Sequence, residues 1–344
     1  MEDTNKPRLR NPSATALRDA TTIQVNLDPN HSLLLSGDIG EIRKFLNALD
    51  GQHCVSELVT TFSFAKSALD KLTRRGLIET EHLDSDTTSK YTKSELDRFI
   101  TSQRSHQAAA TKIDFSKERL ANLTKAYVAV LTSGPASALI AFLLAAQQIG
   151  RIKLFAQNDF KPSDLPFWIS AYPETQMDLS QLLRSISSQI SLNQPANNQK
   201  PNFAIIADQP WSSVERSLEL MNQGIAHLVI DPKVSEVCVG PLVIPGYSSC
   251  LNCAEMSVAS VDKSWPDMRQ LLGQHQEDQT DWLLLQLAVS FAAAQMIQVI
   301  SSGDALTSAL LNRRWRFRLP GPTIEVQQMP VNMFCPCQWG ALPK

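Results

Sequence analysis

The stretch VGPLVIPGYSSCLNC, residues 239–253, ends in a cysteine knuckle, Cys250-Leu251-Asn252-Cys253. A second pair, Cys335-Pro336-Cys337, lies far along the chain. Together they supply four thiolates, the ligand set of a closed, tetrahedral structural zinc site. Soft thiolates favour zinc over magnesium or calcium. With four protein ligands no position is left for an activated water, so the expected Zn2+ is structural. Two close pairs separated by a long insertion act as a clasp on the C-terminal segment. The competing reading is two separate cysteine pairs, reduced or redox-active. Cys54 and Cys238 lie outside the set and are expected as small buried residues.

Upstream of the knuckle the pattern is α/β. Tyr127-Val128-Ala129-Val130-Leu131 is a continuous apolar run, as in a strand buried on both faces. Thr132-Ser133-Gly134-Pro135 is a turn, the Ala- and Leu-rich run from Ala138 to Gln148 a helix, and Ile152-Lys153-Leu154-Phe155 the next strand. Strand, helix and strand in so short a span make a right-handed βαβ unit. Phe203 to Ala207 and His227 to Ile230 read as further buried strands, with a helix from Ser212 to Asn222 between them. Residues 191–201 read as a surface loop. The apolar region Trp282 to Ile300 is interrupted by Gln286, Gln295 and Gln298, which marks a buried helix rather than a membrane span.

Toward the N-terminus, residues 1–20 read as a polar tail and 21–82 as a small winged-helix-like domain. Ile23 to Leu27 alternates like a half-buried strand, Asp28-Pro29-Asn30 is a turn, and Leu33-Leu34-Leu35 is a second strand. Asp38 caps a helix with a capping-box Glu41, and Ile39, Ile42, Phe45, Leu46 and Leu49 share one face. A second helix carries Val55, Leu58, Val59 and Phe62, a third Ala65, Ala68, Leu69 and Leu72, and Leu77-Ile78-Glu79 closes as a strand. Residues 83–118 are a polar linker, with a short helix expected from Lys93 to Gln103, and 119–344 form the α/β body.

The 239–253 stretch resembles the ThiF-like, ubiquitin-activating-enzyme-like family. It is most similar to the members used in azoline- and azole-modified ribosomal peptide biosynthesis, which also end in a cysteine pair that completes a zinc site. Trp265-Pro266 and the long helix around Ala288 to Ile300 fit the same family. The segment Leu33 to Glu79, with Asp50-Gly51, Val55-Ser56-Glu57-Leu58 and Leu69 to Ile78, is similar to the peptide chaperone of pyrroloquinoline-quinone biosynthesis, the leader-peptide recognition fold.

These resemblances imply that a precursor's leader peptide adds as a strand beside Leu33, Leu34 and Leu35 and packs against the third helix. There Lys66, Lys71, Arg74 and Arg75 could meet acidic residues, or could be a solvated face. They imply a partner protein that presents the precursor to a separate YcaO-type cyclodehydratase. A homodimer is expected only by analogy with other ThiF-like domains.

The alternative is an ATP-dependent adenylyltransferase that activates a peptide carboxylate. Active relatives hold ATP on a Gly-rich turn at a helix N-terminus. The three glycine positions fall at Thr132, Gly134 and Ser137, so only Gly134 survives, and Pro135 lacks an N–H. The ribose-binding acid falls near Ala156. Asp208 matches an acid that helps with magnesium or ATP, or caps the helix near Ser212. Arg216 is a phosphate contact or a surface residue, and His227 a core or rim histidine. ATP and Mg2+ are therefore not expected, and no catalytic residue stands out.

Length and composition set outer limits. The 344 residues suggest about two domains, and 43% apolar residues support a real core. The formal charge of −2 gives no basic field for nucleic acid or anionic membrane. Over residues 23–79 seven acidic residues meet six basic ones, which is poor for phosphate neutralisation. The polar start, Met1-Glu2-Asp3-Thr4-Asn5-Lys6, leads into no apolar stretch, so a cytoplasmic location with reduced thiols is expected.

Overall fold

The computed structural model describes residues 5–10, 14–28, 32–79, 89–96, 98–99, 116–155, 160–164, 178–193, 195, 199–208, 213–272 and 280–338. The chain divides into two compact units, Met1–Leu120 and Ala121–Lys344.

In the first unit, β2 (Thr15–Asp19), β3 (Thr22–Val25) and β4 (Leu33–Ser36) form an antiparallel sheet with β3 in the middle. Helices α1 (Ile39–Ala48), α2 (Val55–Thr61) and α3 (Ala65–Arg74) follow. β1 (Arg8–Leu9) pairs with β5 (Ile78–Glu79). The Asp38 carboxylate caps α1 through the Glu41 N–H at 2.9 Å. Glu41 itself is held by Lys44 at 2.9 Å rather than turned back to the cap. The core is built where the helical faces meet: Phe45 packs edge-on against Phe62 and Phe64, with ring centroids 5.6 and 5.3 Å away, among buried Leu49, Leu58 and Leu72.

Two expectations are corrected here. Residues 8–19, read as tail, contribute β1 and β2. β2 buries none of its side chains, so hydrogen bonding to β3 holds it and its composition stays polar. The closing strand pairs with β1. Cys54 is a half-exposed N-cap of α2, not a buried residue, and its N–H bonds Glu57 at 2.9 Å. Pro29, Asn30 and most of the 83–118 linker lie outside the described residues, as do Asp97 and 100–103 of its expected helix.

The second unit is built on a seven-stranded sheet in the order β12-β11-β10-β9-β8-β6-β7. β6 (Tyr127–Val130), β7 (Arg151–Leu154), β8 (Phe203–Ala207) and β9 (Ala226–Lys233) run parallel. β10 (Glu236–Val243), β11 (Arg313–Arg318) and β12 (Thr323–Gln328) continue antiparallel. Every side chain of β6 is buried, as its unbroken apolar run requires of a strand covered on both faces. Helix α4 (Pro135–Ala146) makes the crossover from β6 to β7, and α5 (Leu179–Ile186) packs against it. α6 (Ser213–Gln223) joins β8 to β9.

After β10 come α7 (Leu251–Val261), α8 (Trp265–Leu272) and α9 (Trp282–Ser302). α9 is long and apolar enough to cross a bilayer, but 56% of its apolar window is buried, against α4 and β10. Asp281 caps its start and Gly303, in the left-handed conformation, ends it.

Replacing Phe45 with Ala should cost about 3–5 kcal/mol, because the ring leaves a cavity among rigid neighbours. Urea unfolding followed by far-ultraviolet circular dichroism checks this.

Candidate metal centre and crevice

β10 delivers the chain to the first knuckle. Its last residue, Val243, is buried, and the next N–H, of Ile244, donates to Ser248 Oγ at 2.7 Å, turning the chain toward α7. Cys250 is the N-cap of α7 and Cys253 lies in its first turn. Asn312, at φ 54, ties the approach to this knuckle to the exit from β12. Its Oδ1 accepts the Ser249 N–H at 2.7 Å and its carbonyl accepts the Met329 N–H at 2.9 Å. The chain after β12 then returns to Cys335 and Cys337.

The four sulfurs all lie within 4.8 Å of one another, with Cys250–Cys253 at 3.8 Å, Cys250–Cys335 at 3.6 Å and Cys253–Cys337 at 3.5 Å. A tetrahedron of Zn–S bonds near 2.3 Å places its sulfurs roughly 3.8 Å apart, so the donor set fits one such ion. The hydrogen bond from the Cys250 thiol lowers the pKa of Cys253, and the same bond raises that of Cys250. Cys238 stands apart, buried on β10, and burial pushes its thiol up to about 12.

The second feature lies at the C-terminal ends of β6 and β8, where an α/β sheet holds ligands. Gly134 is the N-cap of α4 with φ 134, and a Cβ there would stand 2.6 Å from Asp208 Cγ. Asp208 bonds the N-terminus of α4. Its carboxylate accepts the N–H of Ala136 at 3.0 Å and of Ser137 at 2.7 Å. The expectation that it caps the helix after β8 is thus corrected: β6 and β8 are direct parallel neighbours, so the residue ending β8 sits over α4.

Thr132 and Ser137, which stand at two of the three expected glycine positions, are tied together, Thr132 Oγ1 to Ser137 Oγ at 3.1 Å, and Thr132 also accepts the Ala207 N–H at 2.9 Å. Burial pushes Asp208 up to about 6 despite the N–H bonds that favour its charge. Ala156 and residues 209–212 lie outside the described residues.

Arg216 reaches the Leu131 carbonyl at 3.5 Å. His227 is a core residue. Its Nε2 lies 2.7 Å from Ser217 Oγ and its Nδ1 3.0 Å from the Ile225 carbonyl, and burial lowers it to about 4.

In the first unit, β4 is an edge strand. Leu33 is half-buried, Leu34 is 44% exposed and Leu35 is buried. α3 packs beside it, with Lys66, Lys71, Arg74 and Arg75 all exposed, and Arg74 pairs with Asp70 at 2.9 Å. Sequence reasoning missed the Asp208–α4 cap, the Thr132–Ser137 bond and the role of Asn312. Nothing in residue spacing signals contacts between segments so far apart in the chain.

Asp208 yields a pH prediction. Its native pKa of about 6 exceeds the ordinary 3.8, so the native state holds the proton more tightly than the unfolded chain. Stability from this group is full below about pH 4 and is lost as pH rises through about 6. Against Asp208→Asn, the wild type should lose about 3 kcal/mol over that window and then run parallel. Denaturant midpoints measured from pH 4 to 8 check it.

No family model and no curated protein matches the sequence. Solved structures match along nearly the whole chain. The microcin C7 biosynthetic enzyme MccB in complex with N-formylated MccA is 15% identical at a TM-score of 0.66, with 96% of this chain and 99% of that one covered. E. coli MccB with ATP is 15% identical at 0.65, covering 96% and 98%. PaaA is 14% identical at 0.61, covering 92% and 98%. The chain has the fold of the microcin C7 biosynthetic enzyme MccB.

Proposed function

We propose that the protein binds the leader of a ribosomally made precursor peptide and presents it to a separate YcaO-type cyclodehydratase, without activating a carboxylate itself. The observation that carries this reading is the Asp208 carboxylate on the Ala136 and Ser137 amides. Those are the N–H groups a nucleotide phosphate would need at a helix N-terminus. A buried carboxylate there repels phosphate and fills its place, and the Thr132–Ser137 bond fills positions that relatives leave to glycine.

Peptide capture falls to the first unit, read as a winged-helix recognition domain. The outer edge of β4 offers backbone groups for an added strand, Leu34 a side-chain contact, and Lys66, Lys71, Arg74 and Arg75 positive charge. The MccA-bound MccB structure supports a peptide as ligand. Tethering capture to a docking body raises local substrate concentration with no chemistry on this chain. The four cysteines hold one structural Zn2+, which adds nothing to the reaction and clasps the segment after β12 to α7. A homodimer and a cytoplasmic location complete the reading. The near-neutral balance of the first unit disfavours DNA as its partner.

A second reading, adenylation of a peptide carboxylate with ATP and Mg2+, is favoured by the match to MccB crystallised with ATP. Pyrophosphate exchange separates the two. The first reading expects no exchange above background from purified full-length protein supplied with ATP, Mg2+ and precursor. Robust exchange that Asp208→Ala abolishes would establish the second. Calorimetry should show leader binding that Leu34→Asp weakens about tenfold or more, and no binding by the wild type would sink the capture role.

Metal analysis should find about one zinc per chain. Cys253→Ser should lose it and lower the midpoint of thermal unfolding, whereas a metal-free wild type would remove the zinc assignment.

A further inference from the structure

We propose that Asn252 is a positioning residue of the metal centre, its carboxamide donating to Cys335 and setting how tightly the ion is held. This rests on reading the four cysteines as a metal site.

A divalent ion in four thiolates carries a net charge of −2. Residues 244–260 and 329–338, which supply all four sulfurs, contain no Lys, Arg or His. On these segments the compensating positive charge must therefore come from N–H dipoles. One source is the N-terminus of α7, where Cys250 is the N-cap and Cys253 follows in the first turn.

The other is Asn252. Its Nδ2 stands 3.4 Å from Cys335 Sγ and 3.6 Å from Met256 Sδ, so the amide is directed at sulfur on both sides. Cys335 is fully buried, and water cannot take over this bond. The bond also crosses between the knuckles, from the helix that carries Cys250 and Cys253 to the segment that carries Cys335. Asn is a poor helix former, so intrinsic preference gives no reason for it inside the first turn of α7. A donor aimed at a thiolate does. It lowers the energy of the sulfur lone pair, offsets part of the site's negative charge and fixes the cysteine's orientation.

The test compares full-length wild type, Asn252→Ala and Asn252→Asp, each loaded with zinc or with cobalt(II). Circular dichroism spectra that overlay show that the variants fold. Release of zinc to excess chelator should quicken about tenfold or more in Asn252→Ala. Asn252→Asp keeps the shape but puts an anion beside the thiolate, and should release faster still. In the cobalt forms the sulfur-to-metal charge-transfer band should move to longer wavelength when the N–H donor is lost. Release rates and spectra equal to wild type in both variants would overturn the role of Asn252 while leaving the four-cysteine site standing. A wild type that binds neither zinc nor cobalt would remove the site and this proposal together.

Discussion

Burial of the Asp208 carboxylate against the first turn of α4 is the constraint on which the crevice depends. A helix N-terminus at the end of a parallel strand is an anion site by construction, because free N–H groups and the helix dipole point the same way. Here the anion belongs to the chain. Its two hydrogen bonds join the end of β8 to α4, and Gly134 is the residue that permits so close an approach, since any side chain there would overlap Asp208. Desolvation outweighs the N–H bonds, so the carboxylate is held at a cost that a more open crevice would not impose.

The same sheet carries a second closure at its antiparallel side. β11 and β12 extend the sheet beyond β10; Phe317 of β11 is buried against Phe291, whereas every residue of β12 is exposed, so β12 itself gains little from burial. Polar contacts add to the hairpin's anchoring. Asn312 links the approach to Cys250 with the exit from β12, while Glu236 holds Arg316 at 2.9 Å and also bonds Arg318. Four sulfurs collected within 4.8 Å lie beside buried Val243, where the chain after β12 returns to α7.

The first unit follows a different economy. Seventeen buried apolar residues, drawn from β1, β3 to β5 and the three helices, form one cluster, yet the outer edge of β4 keeps its backbone groups unpaired among the described residues. A short open sheet edge beside an inward-facing apolar core is the kind of surface to which an extended peptide can add as a strand. Short length protects such an edge from indiscriminate pairing.

Much of this was legible in the chain itself. The unbroken apolar run at Tyr127–Val130, the helical spacing of Ile42, Phe45, Leu46 and Leu49, and the two cysteine pairs are local patterns, and local patterns report burial and ligand chemistry directly. β2 was hidden because an exposed strand held by hydrogen bonds has no apolar signature. Asp208 was visible as a candidate acid, but its partner was not. Which helix it caps depends on β8 lying beside β6, a neighbour relation set by sheet order rather than by the intervening sequence. Asn252 and Asn312 are as ordinary in the sequence as any other asparagine. Only the fold brings residues 252 and 335, or 249 and 312, to hydrogen-bonding distance, because those contacts join segments that the chain itself keeps far apart.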